Sequence, residues 1–292
     1  MNLKKKKELV DNFLKLNDIV SLNRSLSLIT IQQLIKKIKK QENTLIAYMS
    51  FLDQLQKNES EQINEQKTLY IYYAANEKFT SNFYNAIEDH LLNHFLKDKD
   101  LLISLGKRAF DFSQESLLTT PVHHYDDPLD FKKIPLESAL LIARYLKEKR
   151  VNRVVFLIRS NKTNNINTVL YPLNEFDFQL SLEENDKMLY QELNNQNFRF
   201  YETASDFNEN ALIGFLSSAL YTLLLESSFI VYKNKLIHEN KILKDLEVRI
   251  KRAKMSLNRS VREQEIQELN LIHDHKKQGL KKYGKTIQKN HH

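Results

Sequence analysis

The sequence predicts an α/β protein in which long N- and C-terminal helices form an antiparallel coiled coil around a small Rossmann-like α/β domain. Three observations lead there. Between Gly214 and Gly279 there is neither glycine nor proline, while Leu236, Leu243, Leu246, Ile250, Ala253, Leu257 and Val261 recur at helical steps of three, four and seven. Near the other end, Ile31, Leu34, Ile38, Leu45, Tyr48, Leu52 and Leu55 keep a heptad spacing. Gly106 and the prolines at 121, 128, 135 and 172 all fall in the middle of the 292 residues, so the helix breakers are confined to what lies between the two periodic stretches.

The first helix is expected from Lys4 to about Ile63. Gln41 is the polar intruder in its seam, and upstream Ile19, Leu22, Leu26 and Ile29 repeat the three-four-three step and are read as its continuation. Near Asn64 the texture changes. Thr68 to Tyr73 is rich in aromatic residues, as a buried strand is, and a helix is expected from about Asn82 to Leu96. Asp100 to Leu105 reads as a second strand, followed by a turn at Gly106-Lys107-Arg108, a proline-bearing loop and a helix from about Leu136 to Lys149. Val151 to Arg159 is the clearest strand, and Thr168 to Leu173 is expected at an edge because Pro172 cannot donate to a ladder. Strands alternating with helices of this length predict a parallel or mixed sheet. The domain reading is therefore 1–65 for the first helix, 66–207 for the α/β domain, 208–275 for the closing helix and 276–292 for a basic, frayed tail.

With 41% hydrophobic and 28% charged residues the chain can bury a real core. The absence of cysteine removes disulfides and thiolate chemistry. No run approaches the roughly eighteen uninterrupted apolar residues of a membrane span, and the early lysines are not followed by an apolar signal core, so a cytoplasmic protein is expected. The formal charge of +7 favours an acidic partner.

Few constellations suggest chemistry. Gly279 to Thr286 satisfies the phosphate-loop pattern of glycine, four residues, Gly-Lys and threonine, but that chemistry needs a strand before the loop and a helix after it. Neither is expected there. His123, His124, Tyr125, Asp126 and Asp127 gather potential ligands in a loop, and His90 and His94 are spaced one helical turn apart without an obvious third ligand. No Gly-x-Ser-x-Gly elbow is present. Basic clusters instead mark Lys4 to Lys7, Lys36 to Lys40, Arg249 to Arg262 and Lys276 to Lys282, which would lay positive charge along both long helices.

Three segments give a family resemblance. Lys7-Glu8-Leu9 through Lys36-Lys37, Leu105-Gly106-Lys107-Arg108-Ala109-Phe110-Asp111-Phe112, and Leu220 to Ser227 with Gln264 to Leu269 resemble the opening helix, the turn after the second strand and the closing helix of the gamma subunit of the F-type rotary ATP synthase. The sequence departs from that family at Ser21 to Leu26, at the missing second glycine of the turn, at Ala74 to Phe83, and in the tail beyond Ile272. The departures suggest a divergent F-type-like ATPase copy of the sort carried by wall-less bacteria.

The resemblance implies a non-catalytic central-stalk rotor inside a hexamer of alpha-like and beta-like subunits. Those partners would bind ATP and magnesium, and this chain would hold no cofactor or metal. Arg249, Arg252, Arg259 and Arg262, with Arg24 and Lys36 opposite, are expected to meet the hexamer. Ile31, Leu34, Ile38, Leu45, Leu243, Leu246, Ile250 and Leu257 are expected to form the coiled-coil seam. The middle domain, turning at Gly106, is expected to bind an epsilon-like subunit or the load, which is proton transport or gliding motility. No nucleic-acid partner is expected, and the membrane is met only indirectly, from its inner face. The rival reading is a basic coiled-coil scaffold or nucleic-acid-binding protein.

Overall fold

A computed structural model describes residues 3–55, 66–74, 81–126, 133–160, 162, 166–179 and 204–289. The chain divides into two compact units, one of residues 1–26 with 237–292 and one of residues 27–236. Helix α1 spans Leu3–Leu55, and the closing helix, α5, spans Ala204–Lys289.

The second unit is built on a five-stranded mixed sheet. Strands β1 (Thr68–Tyr73), β2 (Leu101–Leu105), β3 (His123–Tyr125) and β4 (Arg153–Leu157) run parallel, and β5 (Asn167–Tyr171) runs antiparallel to β4. The order across the sheet is β3-β2-β1-β4-β5. Helices α2 (Ser81–His94), α3 (Lys107–Glu115) and α4 (Ile134–Lys147) connect them.

All six residues of β1 are buried, which is what a central strand covered on both faces requires. Its side chains alternate between two cores. Leu69, Ile71 and Tyr73 pack with residues of α1, α4 and α5, whereas Tyr70 and Tyr72 pack with α2 and α3. On the first face, Leu45 and Leu52 of α1 meet Phe215, Leu216, Leu220 and Leu224 of α5. A smaller cluster joins Leu34 and Ile38 to Leu225. An 18-residue window within α5, mean hydropathy 1.5, is long and apolar enough to cross a membrane, but 67% of it is buried inside the protein. That burial marks it as a core helix.

Three expectations changed. The stretch after β2 is a nine-residue helix rather than a turn and loop, entered through Gly106 at φ 98°, a conformation that glycine adopts without steric cost. His123–Tyr125 is a parallel edge strand, held by β2. Helix α5 continues through Lys289, so the tail expected to fray at 276 is helical over most of its length. The expected helix residues 56–63 lie outside the described residues.

Candidate functional site

Within the first unit, the described residues of α1 and α5 run in opposite directions where they touch: Lys6 Nζ donates to Ser260 Oγ, and Arg24 Nε donates to Asn240 Oδ1 at 2.7 Å. On α1 the covered positions include Leu3, Lys6, Val10, Phe13, Asn17 and Val20, a three-four alternation, with Leu14 and Ser21 half-buried beside it. On α5 they are His238 to Asn240, Ile242, Leu243, Leu246, Ile250, Ala253, Leu257, Ser260 and Val261. Of the predicted seam, Leu34, Ile38, Leu45 and Leu246 are buried, and Ile31, Leu243, Ile250 and Leu257 are half-buried.

The upstream quartet was assigned to the wrong face. Ile19, Leu22, Leu26 and Ile29 are all more than half exposed. Running the heptad back from Leu34 and Ile31 reaches Ser27, Arg24, Val20 and Asn17, a weaker, polar-interrupted register in which Ser27, Val20 and Asn17 are covered and Arg24 is exposed. The quartet forms a second apolar stripe on the outward side. Helix α5 has a counterpart, in which exposed Val248 and Met255 alternate with exposed Arg252, Arg259 and Arg262.

Of the predicted contact residues, Arg24, Arg249, Arg252, Arg259 and Arg262 lie in the first unit and Lys36 in the second, and all six are exposed. Residues 1–26 and 237–292 hold 20 Lys and Arg against 10 Asp and Glu, whereas the remainder holds 24 against 27. The excess positive charge of the chain therefore resides wholly on this helix pair.

In the second unit the carboxyl ends of β1 and β4, where doubly wound sheets take their ligands, are met by the protein's own helices. Tyr73 at the end of β1 lies 3.3 Å from Ser228 of α5, and Ser160 just beyond β4 donates to Glu226 of α5 at 2.8 Å. Lys162 lies 2.7 Å from Glu42 of α1 and 3.7 Å from Glu226. Both carboxylates are buried, at 1% and 4% exposure for the residues, so the shared ammonium offsets a desolvation cost neither could bear alone. Sequence reasoning missed this cluster. Its only local signal is Glu226 inside the largely apolar run from Leu220 to Val231; Glu42 sits among polar residues and gives none.

On the opposite face of the sheet, Arg108 forks onto Glu88 with both bonds at 2.9 Å, lies 5.0 Å from the centre of the Tyr84 ring, and shares Glu88 with the Tyr72 hydroxyl, which donates at 2.7 Å. Hydrogen bonding to Glu88 raises the pKa of Arg108, and burial, reinforced by the Glu88 carboxylate, raises that of Tyr72. This cation is used internally, tying α3 to α2 and β1.

Ser104 Oγ, His124 and Asp126 form a hydrogen-bonded line, with His124 Nδ1 2.9 Å from Ser104 and Nε2 2.9 Å from Asp126. Ser104 is fully buried in β2, so its hydroxyl is out of reach of a substrate; the line fastens edge strand β3 to its neighbour. His90 and His94 stack at 4.1 Å. Among the described residues no group of three or more His, Cys, Asp or Glu could hold a metal ion. The phosphate-loop pattern from Gly279 to Thr286 lies inside α5, where helical hydrogen bonding leaves no loop of free amides to cradle a phosphate.

No family model matches the chain. It is 26% identical over 208 residues to the uncharacterized protein UU050 of Ureaplasma parvum serovar 3, a stretch covering 70% of this chain and 67% of that one. Among solved structures, a chain of the Euglena gracilis mitochondrial ATP synthase, in its OSCP/F1/c-ring structure at rotational state 3, aligns with a TM-score of 0.56 and 14% identity over 92% of each chain. The fold is one found in ATP synthase. Chains of the Euglena gracilis ATP synthase rotor and of the Tetrahymena thermophila ATP synthase central stalk and c-ring align at TM-scores of 0.49 and 0.48, with 13% and 12% identity. These cover 89% of this chain and 98% of the first, and 77% of this chain and 99% of the second.

Proposed function

We propose that this chain is a gamma-like central-stalk rotor subunit of an F-type-like rotary ATPase. The observation that carries the reading is the fold shared, over 92% of both chains, with a chain of an ATP synthase. The charge distribution supports it. A helix pair with apolar and cationic side chains on its outward faces suits a bore lined by acidic and apolar loops better than open solvent.

In this reading α1 and α5 form an antiparallel coiled coil that acts as an asymmetric shaft. Surrounding alpha-like and beta-like subunits bind ATP and magnesium and carry out the hydrolysis, while the shaft performs no bond chemistry. Its unequal faces favour different conformations in the catalytic subunits, so shaft angle and nucleotide state are thermodynamically linked. Arg24, Lys36, Arg249, Arg252, Arg259 and Arg262 supply long-range attraction that follows the turning shaft without fixing one register. The three-four stripes hold the helices together under torque. The sheet domain binds an epsilon-like subunit or the driven load, either proton transport at the inner face of the membrane or motility.

Purification of the tagged chain from its native source, with identification of the co-purifying subunits, tests the proposal. Two ATPase-type subunits in stoichiometric excess over this chain are expected; a preparation free of any ATPase subunit removes the rotor reading. The concentration of positive charge on the helix pair also favours the rival reading, a nucleic-acid-binding or scaffold protein. That reading requires the isolated chain to bind DNA or RNA with a steep salt dependence.

A further inference from the structure

The last stretch of α5 is a helix with every described side chain in solvent. From Arg262 to His273 each residue is exposed, including Ile266, Leu269 and Ile272. Lys6 of α1 lies opposite Ser260, and among the described residues none covers the side chains of α5 from Arg262 to His273. The sequence nonetheless keeps a seven-residue spacing here: Ile266, Leu269, Leu280, Tyr283 and Ile287 hold the repeat, with His273 and Lys276 at its centre.

The charges along this stretch are sorted into two blocks. Residues 263–274 contain four carboxylates and no lysine or arginine; residues 276–289 contain six lysines and no carboxylate. Within one helix that sorting is unfavourable. Glu265 and Glu268 lie three apart, and Lys277, Lys281, Lys285 and Lys289 follow one another at intervals of four, so like charges share a face. Gly279 and Gly284 weaken the same helix further. Alone in water such a segment gains little from being helical.

We propose that residues 263–289 pair with the same segment of a second copy of this chain, antiparallel and related by a two-fold axis near residue 275. This arrangement lays the acidic block of each copy along the lysine block of the other. Leu269 falls opposite Leu280 of the second copy, and Ile266 opposite Tyr283. A parallel pair would place like blocks together. The two-fold contact is isologous and closes at two copies. The proposal is independent of the rotor reading, since it uses only the sorted charge and the uncovered helix.

Sedimentation velocity on the purified full-length chain tests it, with far-UV circular dichroism to verify the helix content of each variant. The wild-type chain is expected to dimerise at micromolar concentration, more weakly at high salt. Glu263→Lys/Glu265→Lys/Glu268→Lys and Lys281→Glu/Lys282→Glu/Lys285→Glu are each expected to weaken dimerisation by at least about tenfold. An equimolar mixture of the two variants is expected to restore the dimer. A wild-type chain that stays monomeric overturns the proposal, as it would if another protein covered this segment. Reversed-charge variants that dimerise as well as wild type, or a mixture that stays monomeric, overturn it too.

Discussion

Lys162 Nζ lies 2.7 Å from Glu42 Oε1, bringing a loop residue beyond β4 onto a carboxylate in the middle of α1. Because Glu226 of α5 shares the same ammonium, one side chain joins both long helices to the sheet.

Removing that cation leaves two buried carboxylates without a counter-charge. Lys162→Met is expected to cost about 3 kcal/mol of stability, measured as a fall in the urea midpoint. Adding Glu42→Gln should recover part of the loss. A Lys162→Met chain as stable as wild type would show that the cluster does not hold the helices.

The inward and outward stripes of α1 should respond differently to substitution. Leu34→Ala is expected to destabilise the chain by about 2–4 kcal/mol, because its side chain is buried in the cluster with Leu225. Ile19→Ser should stay within about 0.5 kcal/mol, because Ile19 is 56% exposed. In the proposed assembly, however, Ile19→Ser should weaken co-purification with the ATPase subunits. Thermal melts and pull-downs on the same two variants separate these effects.

Arg252→Glu/Arg259→Glu/Arg262→Glu reverses three charges on the outward side of α5, where all three are exposed. The melting temperature of the isolated chain should barely change, while recovery of the ATPase subunits at low salt should fall by about tenfold or more. Unchanged recovery would remove these arginines from the interface.

Gly214 of α5 faces the Tyr48 ring of α1 so closely that a Cβ would overlap it. Gly214→Ala therefore sets a helix-propensity gain of about 1 kcal/mol against displacement of a ring packed on the core. A net loss of about 1–2 kcal/mol is expected. Pairing it with Tyr48→Leu should remove the clash, and a double-mutant cycle by chemical denaturation measures the coupling.

Stability should decline on mild acidification through His90. Burial, and secondarily the neighbouring His94, lower its pKa, and His90 Nε2 is buried without a hydrogen-bond partner. The unfolded chain therefore binds this proton more readily than the folded one. The loss should begin as pH falls through the ordinary histidine value of about 6.5 and level off below the lowered folded value. His90→Gln should flatten the melting-temperature profile in that window.

Much of the architecture was legible because it is local. The three-four spacing from Ile31 to Leu52 and from Leu243 to Leu257 specified two helices and their covered residues, and the aromatic run at Thr68 to Tyr73 specified the central strand. Helix α3 escaped because nine residues with an irregular apolar pattern carry too little periodicity. Strand β3 escaped because His-His-Tyr becomes a strand only by pairing with Leu101–Leu105.

By itself the sequence determined the long helices, the four longer strands and the positive sign of the helix pair, since each depends on residues within a few turns of one another. Only the tertiary structure decided which of two equally spaced apolar stripes on α1 turns inward, and that Glu42, Lys162 and Glu226 meet. The physical reason is separation along the chain. Ile19 and Val20 differ by one step of helix, and which of them is covered depends on a partner more than two hundred residues away.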